Sequence, residues 1–200
     1  MILQYPSLED GTIHRWESDL PFPLSVNSRS IIEGHFKRKG LKWEEDFFLE
    51  MLASANKHDV YFAAIALRDC GTYRSVEPLK GLLHHPMQDV KATSILTIAH
   101  IAGARETAFY VQALLDPAYS PKTYALWAME DCADERAADA VLQYFKRNRS
   151  RIKSGKFDLH ALNHGVNYLS RVRGTSAEFL EFLDFLGRSS TTSEWKTEGD

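Results

Sequence analysis

Apolar residues recur at fixed offsets from a small residue in four segments of the chain. Gly71 is followed by Val76, Leu79, Leu82 and Leu83, and Gly103 by Ala108, Val111, Leu114 and Leu115. Ala133 is followed by Ala138, Val141, Tyr144 and Phe145, and Gly174 by Phe179, Phe182, Phe185 and Leu186. Offsets of five, eight, eleven and twelve trace one stripe of a 3.6-residue helix. The four small residues stand 32, 30 and 41 positions apart, which makes the chain a tandem array of one unit. A second stripe precedes each of the last three: Val90, Ile95, Ile98, Ala99 and Ala102; then Ala125, Ala128, Met129 and Cys132; then Val166 and Leu169. Each unit is therefore a leading helix, a tight turn and a trailing helix.

Turn chemistry agrees with these boundaries. Gly71, Gly103 and Gly174 sit where a helix C-cap favours a left-handed residue, whereas Ala133-Asp134 predicts a different turn. Pro86, Pro117 and Pro121 fall between units, and Asp89 and Asp158 are placed to cap helix N-termini. A weaker leading unit is expected around Gly40, followed by Phe48, Met51 and Leu52, with Glu45 breaking the first apolar position and Ile31, Ile32 and Phe36 as its leading helix. The extra length before Gly174 falls in Lys146 to Lys156. Residues 1–28, with Pro6, Pro21 and Pro23, lack helical period and predict an irregular cap; residues 29–188 form the array; residues 189–200 form a frayed polar tail. The expected fold is all-α, a right-handed α-α solenoid of four to five helix-turn-helix units.

The segment Asp89-Val90-Lys91-Ala92, followed by Ile98-Ala99 and Gly103, resembles HEAT-type repeats, in particular the short bacterial class with a small residue at the inter-helix turn. The resemblance covers roughly residues 57–187, with a weaker extension back to about residue 30. It implies a protein-binding surface lined by the second helices, with nucleic-acid binding or catalysis in a minority of such arrays. HEAT-like bacterial immunity proteins of about this size neutralise a cognate toxin, so the resemblance extends to an inhibitor with one specific partner.

Composition narrows the function. Two hundred residues with 44% apolar content bury a core, and a net charge of −3 argues against a general nucleic-acid binder while suiting an inhibitor of a basic toxin. Met1 to Asp10 has no secretory n-region or h-region, and no apolar run approaches the ~20 residues of a membrane span, so a cytoplasmic protein is expected. Cys70 and Cys132 lie two units apart, roughly 20 Å in stacked helices, too far for a disulfide, and are expected as small core thiols.

Candidate chemistry is sparse. His160 and His164 are four apart on a helix, as two ligands of one metal would be, but both project opposite Leu162, Val166 and Leu169. His84-His85 follows a trailing helix, where imidazole suits the helix dipole. Trp127, Glu130 and Asp131 share a leading helix and are similar in residue type to the aromatic-carboxylate grooves of helical-repeat alkylpurine DNA glycosylases. The run Lys146, Arg147, Arg149, Arg151, Lys153 and Lys156 could meet phosphates or an acidic protein, but only Tyr144 and Phe157 interleave with it. No serine nucleophile, phosphate-cradling loop or clustered Cys/His set accompanies these residues, so no catalytic residue, metal or cofactor is expected.

The binding surface is sought on the trailing helices, opposite their buried stripe. Three positions after each small residue come Arg74, Glu106 and Arg136; six after come Glu77, Phe109, Asp139 and Leu180; ten after come Gly81, Ala113, Gln143 and Asp184. Phe109 is the expected anchor, with Tyr73, Tyr110 and Glu181 beside the row. Two readings stand: a non-enzymatic binder of a specific protein on this face, or a nucleic-acid-binding, DNA-repair protein on the same scaffold.

Overall fold

Apolar residues at offsets of five, eight, eleven and twelve from a small residue favour helix, and helix is what forms from Glu45 to Gly187. The computed structural model describes residues 2–6, 13–17 and 43–188. These fall into two compact units that divide between Ala102 and Gly103. The first holds strands β1 (Ile2–Pro6) and β2 (Ile13–Glu17) and helices α1 (Glu45–Met51), α2 (Lys57–Cys70), α3 (Val76–Lys80) and α4 (Gln88–Ala102). The second holds α5 (Thr107–Leu115), α6 (Thr123–Cys132), α7 (Ala138–Arg147), α8 (Arg149–Lys153), α9 (Leu159–Arg173) and α10 (Ala177–Gly187). Residues 43–188 are thus all-helical, with helix packed on helix.

The N-terminal cap is not irregular throughout. β1 and β2 pair antiparallel, Ile2 opposite Glu17 and Pro6 opposite Ile13, and β1 lies against α2. Neither Ile2–Pro6 nor Ile13–Glu17 alternates apolar and polar residues, so no strand period marked the pair in the sequence. The expected helix at Ile31, Ile32 and Phe36, the turn at Gly40 and the tail at 189–200 lie outside the described residues.

In the first unit α4 packs along α2 and α3, and α1 packs on α2. Every residue from Ala92 to Ala99 is buried, as befits a helix covered on all sides. Its one deeply set hydroxyl with a long-range partner, Thr97 Oγ1, donates to the Ala64 carbonyl of α2 at 2.9 Å. In the second unit α6 packs along α9, while α5 lies against α6 and α7. Phe145 and Phe182 stack at 5.0 Å at its centre, and Tyr168, Phe179 and Leu169 are buried around them.

The stripes after Gly71, Ala133 and Gly174 are buried in the expected phase, but the stripe after Gly103 is rotated. Ala108 and Leu115 are exposed, whereas Thr107, Phe109, Tyr110, Ala113 and Leu114 are buried. Counting from Ala102 restores the pattern: Thr107, Tyr110, Ala113 and Leu114 stand five, eight, eleven and twelve positions later. The spacings from Gly71 to Ala102 and from Ala102 to Ala133 then become 31 and 31. Gly103 is the residue after the turn position, and its φ of +57° is the left-handed step. Gly71 and Gly174 do not share it. There a Cβ would meet the carbonyl oxygen of the preceding helical turn, Leu67 O and Ser170 O, the latter at 2.6 Å.

Side chains satisfy the backbone groups that these turns leave open. Glu45 accepts from the Thr72 amide (2.7 Å), the Thr72 hydroxyl and the Ser75 hydroxyl (2.7 Å). Burial pushes its carboxyl up, but these bonds and Arg74 outweigh that and hold it below the usual range. Thr107, 62 positions on, receives the Asp134 amide at 3.3 Å in the same way. Glu45 and Thr107 thus each hold the turn of a neighbouring helix pair through one backbone amide.

Asp158 caps α9 as expected, accepting from the His160 and Ala161 amides at 2.9 and 3.4 Å and from the Thr123 hydroxyl. Asp89 does not cap; it lies inside the first turn of α4, where it complements the helix dipole. Cys70 and Cys132 form no disulfide and are half-buried, set less deeply than core thiols, and each donates to the carbonyl four residues back.

Two outcomes are expected. A Cβ on Gly165 would lie 2.8 Å from Phe145 Cε2 and closer still to Cζ, and Phe182 and Phe157 block that ring from retreating. Overpacking of about 1–3 kcal/mol outweighs the ~1 kcal/mol that alanine gains over glycine in a helix. Gly165→Ala should therefore lower Tm by a few degrees in a thermal melt; an unchanged Tm would show that Phe145 yields. Burial pushes the Asp158 carboxyl up, but its hydrogen bonds hold it below the ordinary range overall. Its cap is therefore fully present above the unfolded-state pKa and is lost as pH falls through the lower folded-state value. Asp158→Ala should cost about 1 kcal/mol near pH 7, and the gap from wild type in urea midpoints should close on acidification below the ordinary aspartate pKa.

Candidate interaction surface

The expected trailing-helix row survives only in part. Tyr73 (48% exposed), Arg74, Glu77, Arg136, Asp139, Gln143, Leu180, Glu181 and Asp184 reach the surface. Phe109, Tyr110 and Glu106 do not: they are 8%, 0% and 7% exposed. The one-residue shift at Gly103 turns all three inward, and Tyr110 instead donates its hydroxyl to the Gly103 carbonyl at 3.0 Å, tying α5 to its own turn. In their place Arg105, Ala108, Gln112 and Leu115 face out. The remaining charges are largely paired within the chain: Arg74 with Asp46 (2.8 Å), Glu77 with Lys80 (2.7 Å), Asp139 with Arg173 (3.5 Å), Glu181 with Arg149 (3.0 Å) and Asp184 with Arg188 (2.6 Å). Arg136 pairs with Asp134 at 2.7 Å and donates to the Ala104 carbonyl, and the guanidinium holds the Asp134 carboxyl below its usual range. Such exposed pairs contribute little individually, and the row loses its aromatic anchor.

A denser surface forms on the leading helices of the second unit. Trp127 of α6 is 36% exposed and lies between two rings: His164 of α9 stacks on it at 5.2 Å and 6°, and Tyr124 at 6.3 Å and 21°. Glu130, one helical turn beyond Trp127, meets His164 Nδ1 through Oε2 at 2.5 Å and accepts from the Asn167 amide through Oε1 at 2.8 Å. Arg171 completes the seam from α9. Its guanidinium donates to the carbonyls of Met129, Glu130 and Ala133 at 3.0, 3.0 and 2.9 Å, covering the negative end of α6. Beneath it Tyr168, its pKa pushed up to about 12 by burial, donates its hydroxyl to the Asp134 carbonyl at 2.5 Å. Asp131, His160, Asn163 and Ser170 surround this cluster at the surface.

Sequence spacing separated what the fold joins. Trp127, Glu130 and Asp131 were one candidate and His160 with His164 another, and the structure puts His164 on Trp127 and Glu130 while His160 stays exposed. A helical wheel counts positions within one helix, so a contact between residues 34 apart, on helices separated by an insertion, gives no periodic signal. Both oxygens of Glu130 are engaged, so the carboxylate is an organiser of the surface and not a free base. Among the described residues no three His, Cys, Asp or Glu side chains converge as a metal site would require, and no helix is long and apolar enough to cross a membrane. The sequence matches no protein-family model and no curated protein.

Phe109→Glu should unfold this unit, since it places an unpaired charge among Phe109's buried neighbours at a cost of several kcal/mol. Loss of cooperative melting by circular dichroism is the expected result, and an unaltered Tm would return Phe109 to the surface.

Proposed function

We propose that the chain is a non-enzymatic protein-binding module, a HEAT-like solenoid that contacts its partner through the Trp127 surface of α6 and α9. The carrying observation is the ordered cluster itself: an exposed tryptophan edge already fixed by His164, Tyr124, Glu130 and Asn167. Aromatic side chains with rotamers set before binding give up little entropy on association and dominate interface energetics. The 31-residue register and the recurring turn contact of Glu45 and Thr107 support the repeat assignment. The resemblance to short bacterial HEAT arrays extends the reading to an inhibitor that holds one cognate toxin.

The DNA-repair reading has one observation in its favour, a carboxylate beside a tryptophan on a single helix. Against it, Glu130 is already bonded through both oxygens. Incubation with alkylated DNA should release no free base.

Capture from native lysate tests the main reading. Wild type should retain one stoichiometric protein. Trp127→Ala should weaken that capture by at least roughly 30-fold, the cost of a hot spot of ~2 kcal/mol. Asn163→Arg, at the exposed rim, should weaken it with Tm unchanged. Retention by both variants would sink the assignment of this face.

A further inference from the structure

The array keeps its 31-residue spacing up to Ala133 and then takes 41 residues to reach Gly174. The ten additional residues are not a slack loop. They contain α8, and they are held at both ends: Ile152 is 2% exposed and Phe157 6%, the latter packed on Tyr144 and Phe145 at 5.9 Å. Arg149 is half-buried, paired with Glu181 at 3.0 Å and lying over the Phe185 ring at 5.1 Å. Gly155, at φ +67°, reverses the chain, and the Lys156 amide closes onto the Arg151 carbonyl at 2.9 Å. With the apolar residues facing in and Arg149 held by Glu181, Lys146, Arg147, Arg151, Lys153 and Lys156 all face solvent. No acidic residue occurs between Lys146 and Phe157.

An insertion that spends its apolar residues on anchoring and places five cations among its outward positions, beside Ser150, Ser154 and Gly155, is built to present positive charge. Its neighbourhood sets the size of the ligand. Glu178, Glu181 and Asp184 are exposed on α10, against which the insertion leans, so the positive field is bounded on that side. α8 spans five residues, roughly 8 Å of helix axis. Nucleic-acid binders spread six to ten phosphate contacts along a track and add aromatic stacking platforms. Here the track is short, and the adjacent rings, Tyr144 and Phe157, pack inward.

We propose that residues 146–156 form a docking site for a short carboxylate-rich segment of a partner protein. The site is separate from the Trp127 surface, and its failure would leave that reading standing.

The probe is a fluorescein-labelled peptide of eight alternating Asp and Glu residues, titrated by anisotropy into the full chain at 50 and 200 mM salt. A single-stranded deoxythymidine oligomer of equal charge serves as competitor. The expected result is saturable peptide binding that weakens as salt rises. It should weaken at least tenfold in Lys146→Glu/Arg147→Glu/Arg151→Glu with Tm unchanged, and the oligomer should compete at least tenfold less well than unlabelled peptide. Should charge reversal disturb folding, Lys146→Gln/Lys156→Gln should still weaken binding severalfold. Absence of saturable binding, equal affinity of folded variants, or stronger binding of the oligomer would each overturn the proposal.

Discussion

The turn between the helices of a pair is the point on which this fold depends. A helix end leaves amides and carbonyls without intrahelical partners, and a buried one cannot rely on water. Here the partners are side chains from the neighbouring pair. Glu45 and Thr107 take the amides of Thr72 and Asp134, while Arg171 and Tyr168 take the carbonyls at the end of α6 and at Asp134. The turns at Thr72 and Asp134 are therefore each completed by a neighbouring pair within the same compact unit. Apolar stripes alone would let helices slide or rotate; a carboxylate on one amide fixes both register and rotation.

That constraint explains which parts of the fold were legible. The buried stripes of α3, α7 and α10 follow from offsets alone, because period and burial are the same statement for an amphipathic helix. The turns were harder. Gly103 looked like the residue to count from because glycine is the usual C-cap signal, yet the turn position is Ala102, and Gly103 supplies the left-handed step after it. One residue of phase is about 100° of rotation, enough to exchange Phe109 and Tyr110 for Ala108 and Leu115 at the surface. Equal spacing was the better guide, since Gly71, Ala102 and Ala133 stand 31 apart. Glu45 was misjudged for a related reason: polar residues at a core offset look like errors until the amide they hold is in view. β1 and β2 went unnoticed because neither segment alternates apolar and polar residues as a half-buried strand would.

The candidate surface was less legible still. Each of Trp127, Glu130 and His164 has an ordinary explanation within its own helix, and nothing in the spacing of α6 and α9 says which turn faces which. The 41-residue interval hides their alignment. Only the packing of α6 along α9, held by Arg171 across three carbonyls, brings His164 onto the indole and Glu130.

The same interval raises the question of why an even spacing of small residues should be interrupted there. An extra segment inside a helix would throw the following stripe out of phase, so insertions are tolerated only between pairs, where α8 lies. Tolerance does not account for its content. A neutral loop would leave α7 and α9 capped equally well, since Asp158 caps α9 and Asn148 Nδ2 donates to the Tyr144 carbonyl at 2.8 Å at the end of α7. Helix C-termini favour cations, which accounts for Lys146 and Arg147 in the last turn of α7. It does not reach Arg151, Lys153 and Lys156, which lie beyond that turn and repel one another in the folded state. Charge concentrated against its own electrostatic preference, on a segment anchored by Ile152 and Phe157, is what the proposed docking of a carboxylate-rich segment would use.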